Sequence, residues 1–162
     1  MEYVLIGDTP TTRCVYYRQV HGLPAYIDPP MSQRIAFRAG TTGAITMPAA
    51  LGDAVRTRLC SRRSELGPII WHPLSNRWTY LVRPDVPDDD TALFCDLFAW
   101  NVSVVRIGVI ALPSTAAAPG SIRRWIHLPR NDFKPSCRVV VDAVRACAGH
   151  ITRREPMAVP CV

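Results

Sequence analysis

Residues 68–82 read PIIWHPLSNRWTYLV, two short runs of branched and aromatic residues separated by a polar turn, Pro73–Asn76. Such runs favour strands, because branched and aromatic side chains pack well on a pleated surface. A short turn between two such runs predicts an antiparallel hairpin. We therefore expect a sheet built from hairpins, and not the doubly wound parallel sheet of an alternating strand–helix chain.

A second hairpin is predicted over residues 34–47. Residues 34–37 alternate polar and apolar side chains, residues 44–47 form another extended run, and Gly40–Gly43 lies between them as a turn. This turn lacks the lysine of a phosphate-binding loop and precedes a strand, so we do not interpret it as a phosphate cradle. Further strands are predicted at residues 3–6, 25–27, 102–105, 107–112 and 123–128.

Apolar residues at helical spacing predict the helices. The clearest case is the stripe Leu51, Val55 and Leu59, which follows Pro48, a residue suited to the first turn of a helix. The other predicted helices are residues 11–20 with a cap at Thr11 or Thr12, the segment of Leu93, Phe94, Leu97 and Phe98 capped by a preceding aspartate, and residues 138–148 stopped by Gly149.

Together these elements predict an α+β fold, with a mostly antiparallel, hairpin-built sheet covered by three or four helices. A chain of 162 residues, 48% of them apolar, suits a single domain with one core. We assign this domain to residues 1–150 and treat residues 151–162 as a C-terminal tail.

The sequence predicts a cytoplasmic protein. No run approaches 18 consecutive apolar residues, which argues against a membrane span. The first residues include an early acid, Glu2, and only a short apolar run, so no signal peptide is predicted. The six cysteines are dispersed, which in the cytoplasm favours reduced thiols over disulfides. Cys95 and Cys147 fall among apolar residues and are expected in the core.

The chain is basic, with 19 basic and 13 acidic residues and a formal charge of +6. Every basic residue except Lys134 is an arginine, a bias that a GC-rich coding sequence, as in actinobacteria, also produces. This charge is compatible with nucleic acid, a nucleotide or an acidic protein as partner, and equally with a solvated surface.

The candidate binding surface combines arginines with tryptophans. Arginine binds phosphate through a bidentate fork, and tryptophan offers a face on which a base can stack. The predicted nucleic-acid- or nucleotide-binding residues are Arg62, Arg63, Arg77, Trp78, Arg106, Arg123, Arg124 and Trp125. The alternative interpretation places the tryptophans in the core and the arginines in solvent.

Two segments resemble the archaeo-eukaryotic primase family, the primase-polymerases. Residues 67–73, GPIIWHP, followed by residues 77–81, RWTYL, resemble the family's hairpin that carries a nucleotide-contacting histidine. Residues 101–114, then Pro119-Gly120 and Trp125, resemble its late segment of a strand, a proline-serine turn, a glycine loop and a tryptophan strand. The resemblance, actinobacterial in type, covers residues 67–125 and implies a primase-polymerase-like fold that contacts nucleic acid or nucleotide.

The chain departs from this family where the family's chemistry would lie. A polymerase site needs paired carboxylates on one strand to hold two metal ions. The corresponding strand, residues 43–48, reads GAITMP without an acid, and residues 76–80, NRWTY, contain no histidine. We place His72 in the preceding turn. The resemblance therefore implies a degenerate relative retained for binding, for which we predict no catalytic residue, metal or cofactor.

A zinc site is one interpretation of the C-terminal cysteines. Cys147 and His150 are spaced so that they could chelate zinc, with Cys137 or Cys161 completing the site. The other interpretation is a buried thiol and an exposed histidine at a helix end.

Two loops have similarly open interpretations. Ser114 is either a nucleophile, if a triad forms around it, or a hydroxyl that caps a loop. The aspartates of residues 85–90 either hold a cation or form a solvated loop that ends in a helix cap.

Three functions follow as hypotheses. The first is a non-catalytic regulatory or binding protein that contacts nucleic acid or nucleotide through its arginines. The second is a protein-interaction or homo-oligomeric module, docking through exposed aromatics or the tail residues Met157, Val159 and Val162. The third is an enzyme with an unrecognised site. None of them involves a membrane partner.

Overall fold

The computed structural model describes residues 9–115 and 123–151. Within these ranges the chain forms four helices and eight strands. The helices are α1 (Pro10–Gln19), α2 (Ala49–Ser61), α3 (Thr91–Ala99) and α4 (Cys137–Ile151). The strands are β1 (Tyr26–Ile27), β2 (Ile35–Arg38), β3 (Gly43–Pro48), β4 (Ile69–His72), β5 (Arg77–Val82), β6 (Ser103–Val105), β7 (Val109–Leu112) and β8 (Arg124–His127).

The strands form two antiparallel sheets. The smaller sheet has the order β1-β2-β7, and the larger sheet has the order β6-β3-β5-β4-β8. Every pairing between these strands is antiparallel. The predicted α+β class, with antiparallel sheet and four helices, is confirmed.

The hairpin predicted over residues 68–82 is confirmed as β4 and β5, and β5 is the central strand of the larger sheet. Trp71 lies opposite Trp78, and His72 lies opposite Arg77. His72 is therefore the last residue of β4, and its predicted position in the turn is wrong. The turn ends at Asn76, whose φ of 48° lies in the left-handed region that asparagine tolerates.

The hairpin predicted over residues 34–47 is wrong, although both of its strands exist. β2 pairs with β1 and β7, whereas β3 pairs with β5 and β6, so the intervening turn carries the chain from one sheet to the other. Ile35, Ala36 and Phe37 are all buried, a pattern that a two-stranded hairpin with one solvated face would not produce. The predicted strands at 102–105 and 107–112 likewise belong to different sheets, as β6 and β7.

The larger core lies between one face of the five-stranded sheet and helices α2, α3 and α4. The predicted stripe Leu51, Val55 and Leu59 is buried here, as expected. Each such side chain contributes roughly 1.5–3 kcal/mol when it leaves water. The sheet supplies Ile45, Met47, Ile69, Trp78, Tyr80 and Val82, and α4 supplies Val140, Val141 and Val144.

Gly52 allows α2 to lie directly on the sheet. A Cβ at this position would come within 2.9 Å of Cε3 of Trp78, so only glycine leaves room for the indole. At the same place Tyr80 Oη donates a hydrogen bond of 2.7 Å to the Gly52 carbonyl. The two contacts fix the distance and the position of α2 over β5.

The smaller core lies between the two sheets, on the opposite face of the five-stranded sheet. Ala44, Ile70 and Leu81 point into it, each next in sequence to a residue of the larger core. From the three-stranded sheet and α1 come Ile35, Phe37, Ile110, Leu112, Cys14 and Tyr17. Thr46 and His72 lie on the same face by strand alternation, but they are only half-buried.

Several predictions about helices require correction. Thr9, not Thr11 or Thr12, caps α1 by accepting from Thr12 N, and α4 continues past Gly149 to Ile151. The predicted aspartate cap of α3 is confirmed as Asp90.

α3 buries a narrower face than its composition predicts. Leu93 and Leu97, one turn apart, are buried, whereas Phe98 is 84% exposed. Cys95 is also exposed, so its predicted core position is wrong, and Cys147 is only half-buried. This short helix buries one i, i+4 stripe, and Phe94 beside that stripe is only partly buried against the larger core.

The strand predicted at residues 3–6, residues 152–162 of the predicted tail and part of the loop before β8 lie outside the described residues. None of the described helices is both long enough and apolar enough to cross a bilayer.

Candidate functional site

A row of aligned residues crosses the face of the five-stranded sheet that bears the smaller core. In strand order the row reads Ser103, Thr46, Thr79, Ile70 and Trp125, each opposite the next. Ile70 and Trp125 pack in the smaller core, whereas Ser103 is exposed and Thr46 is half-buried. One end of the row is therefore polar and accessible.

Three side chains of this region form a continuous hydrogen-bonded chain. Thr46 Oγ1 lies 3.0 Å from Thr79 Oγ1, which in turn lies 2.9 Å from His72 Nε2. Burial lowers the pKa of His72 to about 4, and the charges of Arg123 and Arg77 act in the same direction. The imidazole is therefore neutral at physiological pH, and it acts as a hydrogen-bonding group and not as a cation.

Two arginines flank His72. Arg77 lies directly opposite it on β5, and Arg123 immediately precedes Arg124, the partner of Trp71 on the other side of β4. Arg77 is held in place by three hydrogen bonds: Nη1 donates to Asn101 Oδ1 at 3.0 Å, and Nη2 donates to the carbonyls of Asn101 at 2.8 Å and Thr46 at 3.1 Å.

Arg123 has fewer hydrogen bonds than Arg77 among the described residues. It is half-buried, and its Nε is enclosed without a hydrogen-bond partner among the described residues. Burial and the nearby charge of Arg34 both lower the pKa of Arg123. Across residues 9–115 and 123–149, no carboxylate forms an ion pair with Arg34, Arg77 or Arg123. We call these residues, with His72, Thr46 and Thr79, the histidine–arginine cluster.

This cluster has the chemistry of an anion site. Guanidinium groups donate in a fork that matches phosphate and carboxylate oxygens, and hydroxyl groups add neutral donors. Like charges gathered on a partly buried surface are costly, and an anion would relieve both their repulsion and the unsatisfied Nε of Arg123.

The eight predicted binding residues do not form one surface. Arg77 and Arg123 belong to the histidine–arginine cluster, and Trp125 lies in the adjacent row, half-buried, with Nε1 donating to Tyr17 Oη at 3.1 Å. Trp78 is 8% exposed and faces α2, with the Arg56 guanidinium 5.5 Å from its ring centre. Trp78 therefore presents no free face of the kind that base stacking requires, whereas Trp125 is only partly covered.

The other four predicted arginines lie elsewhere. Arg62 and Arg63 are exposed at the end of α2, and Arg124 is exposed opposite Trp71, on the side of the larger core. Arg106 forms an ion pair with Asp88, and its guanidinium lies 5.2 Å from the Phe94 ring centre. Its charge is thus already partly neutralised.

Sequence reasoning missed His72, Thr46 and Thr79 as site residues. Strand alternation is the signal for the threonines, because it places Thr46, between Ile45 and Met47, on the face opposite α2 and α4. Thr79, between Trp78 and Tyr80, lies on the same face. Their convergence with His72 depends on the register of three strands, which no local pattern encodes.

The structure also gives the environment of Ser114 and tests part of the predicted metal sites. Ser114 Oγ donates a short hydrogen bond to the Gln33 carbonyl, which agrees with its interpretation as a loop-capping hydroxyl. Among the described residues no three histidine, cysteine, aspartate or glutamate side chains lie close enough to hold a metal ion. His150, as a side chain, and Cys161 lie outside what the structure describes, so the zinc interpretation is not tested.

Compared with known proteins, the chain matches no family model, no curated protein and no solved structure. The resemblance to the primase-polymerases therefore stays a prediction.

Proposed function

We propose that the protein is a non-catalytic binding or regulatory protein that contacts the phosphates of nucleic acid or nucleotide through the histidine–arginine cluster. The observation that supports this proposal is the charge of the cluster. Arg34 and Arg123 lie close enough to lower the pKa of Arg123, and neither has a carboxylate partner among the described residues.

A phosphate group suits the donors that are available. Arg123 offers the unsatisfied Nε, Arg77 is already oriented by Asn101, and Thr46 offers a hydroxyl on the accessible part of the row. Because His72 is neutral, the affinity comes from guanidinium groups, whose charge does not change across the physiological pH range.

The same residues argue for binding over nucleotidyl transfer. In the resembled family this strand carries carboxylates for metal ions. Here β3 presents Thr46 on the accessible face, with arginines beside it, so the local charge has the opposite sign. A degenerate primase-polymerase-like scaffold that holds phosphates without metal chemistry is the proposal that this pattern supports.

Fluorescence anisotropy with a labelled single-stranded and a labelled duplex oligonucleotide tests the proposal. We expect binding that weakens steeply as salt rises, since phosphate contacts release counterions. Replacing Arg123→Gln should lower the affinity about tenfold and reduce the salt dependence by about one counterion. Arg62→Gln removes the same charge from an exposed position on α2 and serves as the matched control.

Two results would overturn the proposal. One is the absence of binding to oligonucleotides and to nucleoside triphosphates at low salt. The other is an equal loss of affinity in Arg123→Gln and Arg62→Gln, which would indicate diffuse attraction by net charge and no defined site.

Protein interaction is the second candidate function, and exposed apolar side chains favour it. Phe98 is 84% exposed on α3, and Ile107 is 91% exposed in the turn between β6 and β7. Large apolar side chains in solvent are typical of contact surfaces when they cluster. Sedimentation of the wild type and of Phe98→Ser tests it: a dimer lost in the variant would support a homo-oligomeric module.

A further inference from the structure

A cavity of about 250 Å³ lies at the opposite end of β4 from the histidine–arginine cluster, between the approach to that strand and the segment after β8. Five residue steps separate Gly67 from His72, roughly 16 Å along an extended chain. The two sites are therefore distinct. A volume of this size holds roughly eight waters, which corresponds to a ligand on the order of ten non-hydrogen atoms.

The walls of the cavity are fixed by the backbone. Pro68 and Pro129 line it and are buried, and Pro135 closes against Gly67, where a Cβ would meet the Pro135 Cδ at 2.1 Å. Lys134 Nζ ties the segment down by donating to the carbonyl of His21 at 2.8 Å. The backbone of the cavity is therefore preformed, and the ordering cost of binding is limited to exposed side chains such as Glu65 and Arg130.

Part of the cavity lining offers hydrogen-bond acceptors. His127 Nδ1 lies 3.0 Å from the Gly67 carbonyl, and because a carbonyl can only accept, Nδ1 carries the proton. In the neutral ring the other nitrogen, Nε2, is then left with a lone pair. Glu65, an exposed carboxylate that also lines the cavity, forms no ion pair within the described part of the chain.

Another part of the lining offers donors. Arg130 lines it and has no carboxylate partner in residues 9–115 and 123–149. Asn131 Oδ1 already accepts from Phe133 N at 3.0 Å, which leaves the two N–H groups of that amide to donate. Glu65 and Arg130 carry opposite charges on one cavity, yet they are not within 4.0 Å of each other.

The apolar part of the lining comes from Leu66, Leu128 and Phe133 together with the prolines. A ligand that satisfies all three kinds of lining residue has an ammonium group, a carboxylate group and a short apolar body. We infer that this cavity binds a free α-amino acid with an apolar side chain of the size of leucine or phenylalanine. The ammonium group contacts Glu65 and His127, and the carboxylate contacts Arg130 and Asn131.

Calorimetric titration of the full chain with three probes tests this inference. The probes are L-phenylalanine, 3-phenylpropionate, which lacks the ammonium group, and phenethylamine, which lacks the carboxylate. We expect L-phenylalanine to bind about tenfold or more tightly than either partial probe, since each loses a charged hydrogen-bonding group. Equal binding of the three probes, or no saturable binding of L-phenylalanine, overturns the inference.

Two variants of exposed residues test which side chain contacts which charged group of the ligand. Glu65→Gln should weaken L-phenylalanine about tenfold and leave 3-phenylpropionate unchanged, whereas Arg130→Gln should weaken both. Both positions are exposed, so the fold is expected to tolerate them. The variant Arg123→Gln, at the histidine–arginine cluster, should bind L-phenylalanine as the wild type does. If instead Glu65→Gln and Arg130→Gln bind as the wild type does, the cavity is not the amino-acid site.

Discussion

Thr79 Oγ1 lies 2.9 Å from His72 Nε2, and this contact joins the central strand of the larger sheet to its neighbour on the accessible face. Thr79 is buried, so its hydroxyl has few other partners than His72 and Thr46. Burial and the charges of Arg123 and Arg77 keep this histidine neutral, although histidine often titrates near physiological pH in other proteins.

Lowering the pH from 7 towards 4 should destabilise the protein through His72. Its pKa is about 4 in the folded chain and about 6.5 when unfolded. The unfolded state therefore takes up a proton first, and the stabilisation present above pH 6.5 is lost as the pH falls towards 4. Burial also lowers the pKa of His21, so this residue adds to the loss of stability at low pH.

Urea midpoints measured between pH 7 and pH 4.5 check this prediction. His72→Gln keeps a hydrogen-bonding amide for Thr79 but cannot titrate, so its midpoint should depend less on pH than that of the wild type. Identical slopes for the two proteins would contradict the assigned environment of His72.

Arg123→Gln should weaken phosphate binding and leave the fold equally stable or more stable, by up to about 1 kcal/mol. The substitution removes a guanidinium that is half-buried beside Arg34 and has an unsatisfied Nε. Arg77→Gln should behave oppositely and cost about 1–3 kcal/mol, because three hydrogen bonds to Asn101 and Thr46 are lost. Chemical denaturation of both variants tests this difference, and a large loss of stability in Arg123→Gln would refute it.

Inorganic phosphate should raise the thermal midpoint of the wild type. A ligand that binds only the folded state at ten times its Kd stabilises it by about 1.4 kcal/mol. Chloride at equal ionic strength is the control for general salt effects. The specific increase should disappear in Arg123→Gln, and its persistence there would place the anion elsewhere on the molecule.

Gly52→Ala should destabilise the protein by about 1–2 kcal/mol even though alanine favours a helix by about 1 kcal/mol. The new methyl group would lie 2.9 Å from Trp78, and that indole is buried beneath α2. Gly149→Ala is the matched control, because its site on α4 is exposed with nothing within 4 Å. It should stabilise the protein, and the same sign for both variants would contradict the packing described for α2.

Local patterns in the sequence predicted the elements well and their pairing less well. The stripe Leu51, Val55 and Leu59 and the hairpin of residues 68–82 appear as expected, since each depends on neighbours a few residues away. The assignment of β2 and β3 to one hairpin failed because both turn and strand signals are local, whereas the choice of partner is made by long-range burial.

The candidate site was only partly predictable for the same reason. Arginine counts identified Arg77 and Arg123 but could not separate them from Arg106, which Asp88 neutralises. The distinguishing feature is the absence of an acidic neighbour among the described residues, which is a property of the folded surface. Trp78 was predicted as a binding residue but is buried, because an aromatic side chain in a strand packs in a core as readily as it contacts a ligand.

The two cores on either side of the larger sheet make the fold sensitive to errors in strand register. Ile69 and Ile70, and likewise Tyr80 and Leu81, point into different cores. A slip of one residue in β5 would exchange Tyr80 with Leu81 and turn Thr79 towards the apolar core that α2 and α4 cover. Misregistered intermediates are thus penalised on both faces at once. The alternation of residues that specifies one register also places the threonine hydroxyl groups on the face proposed to bind a ligand. A change of register would therefore alter both the packing of the cores and the proposed site.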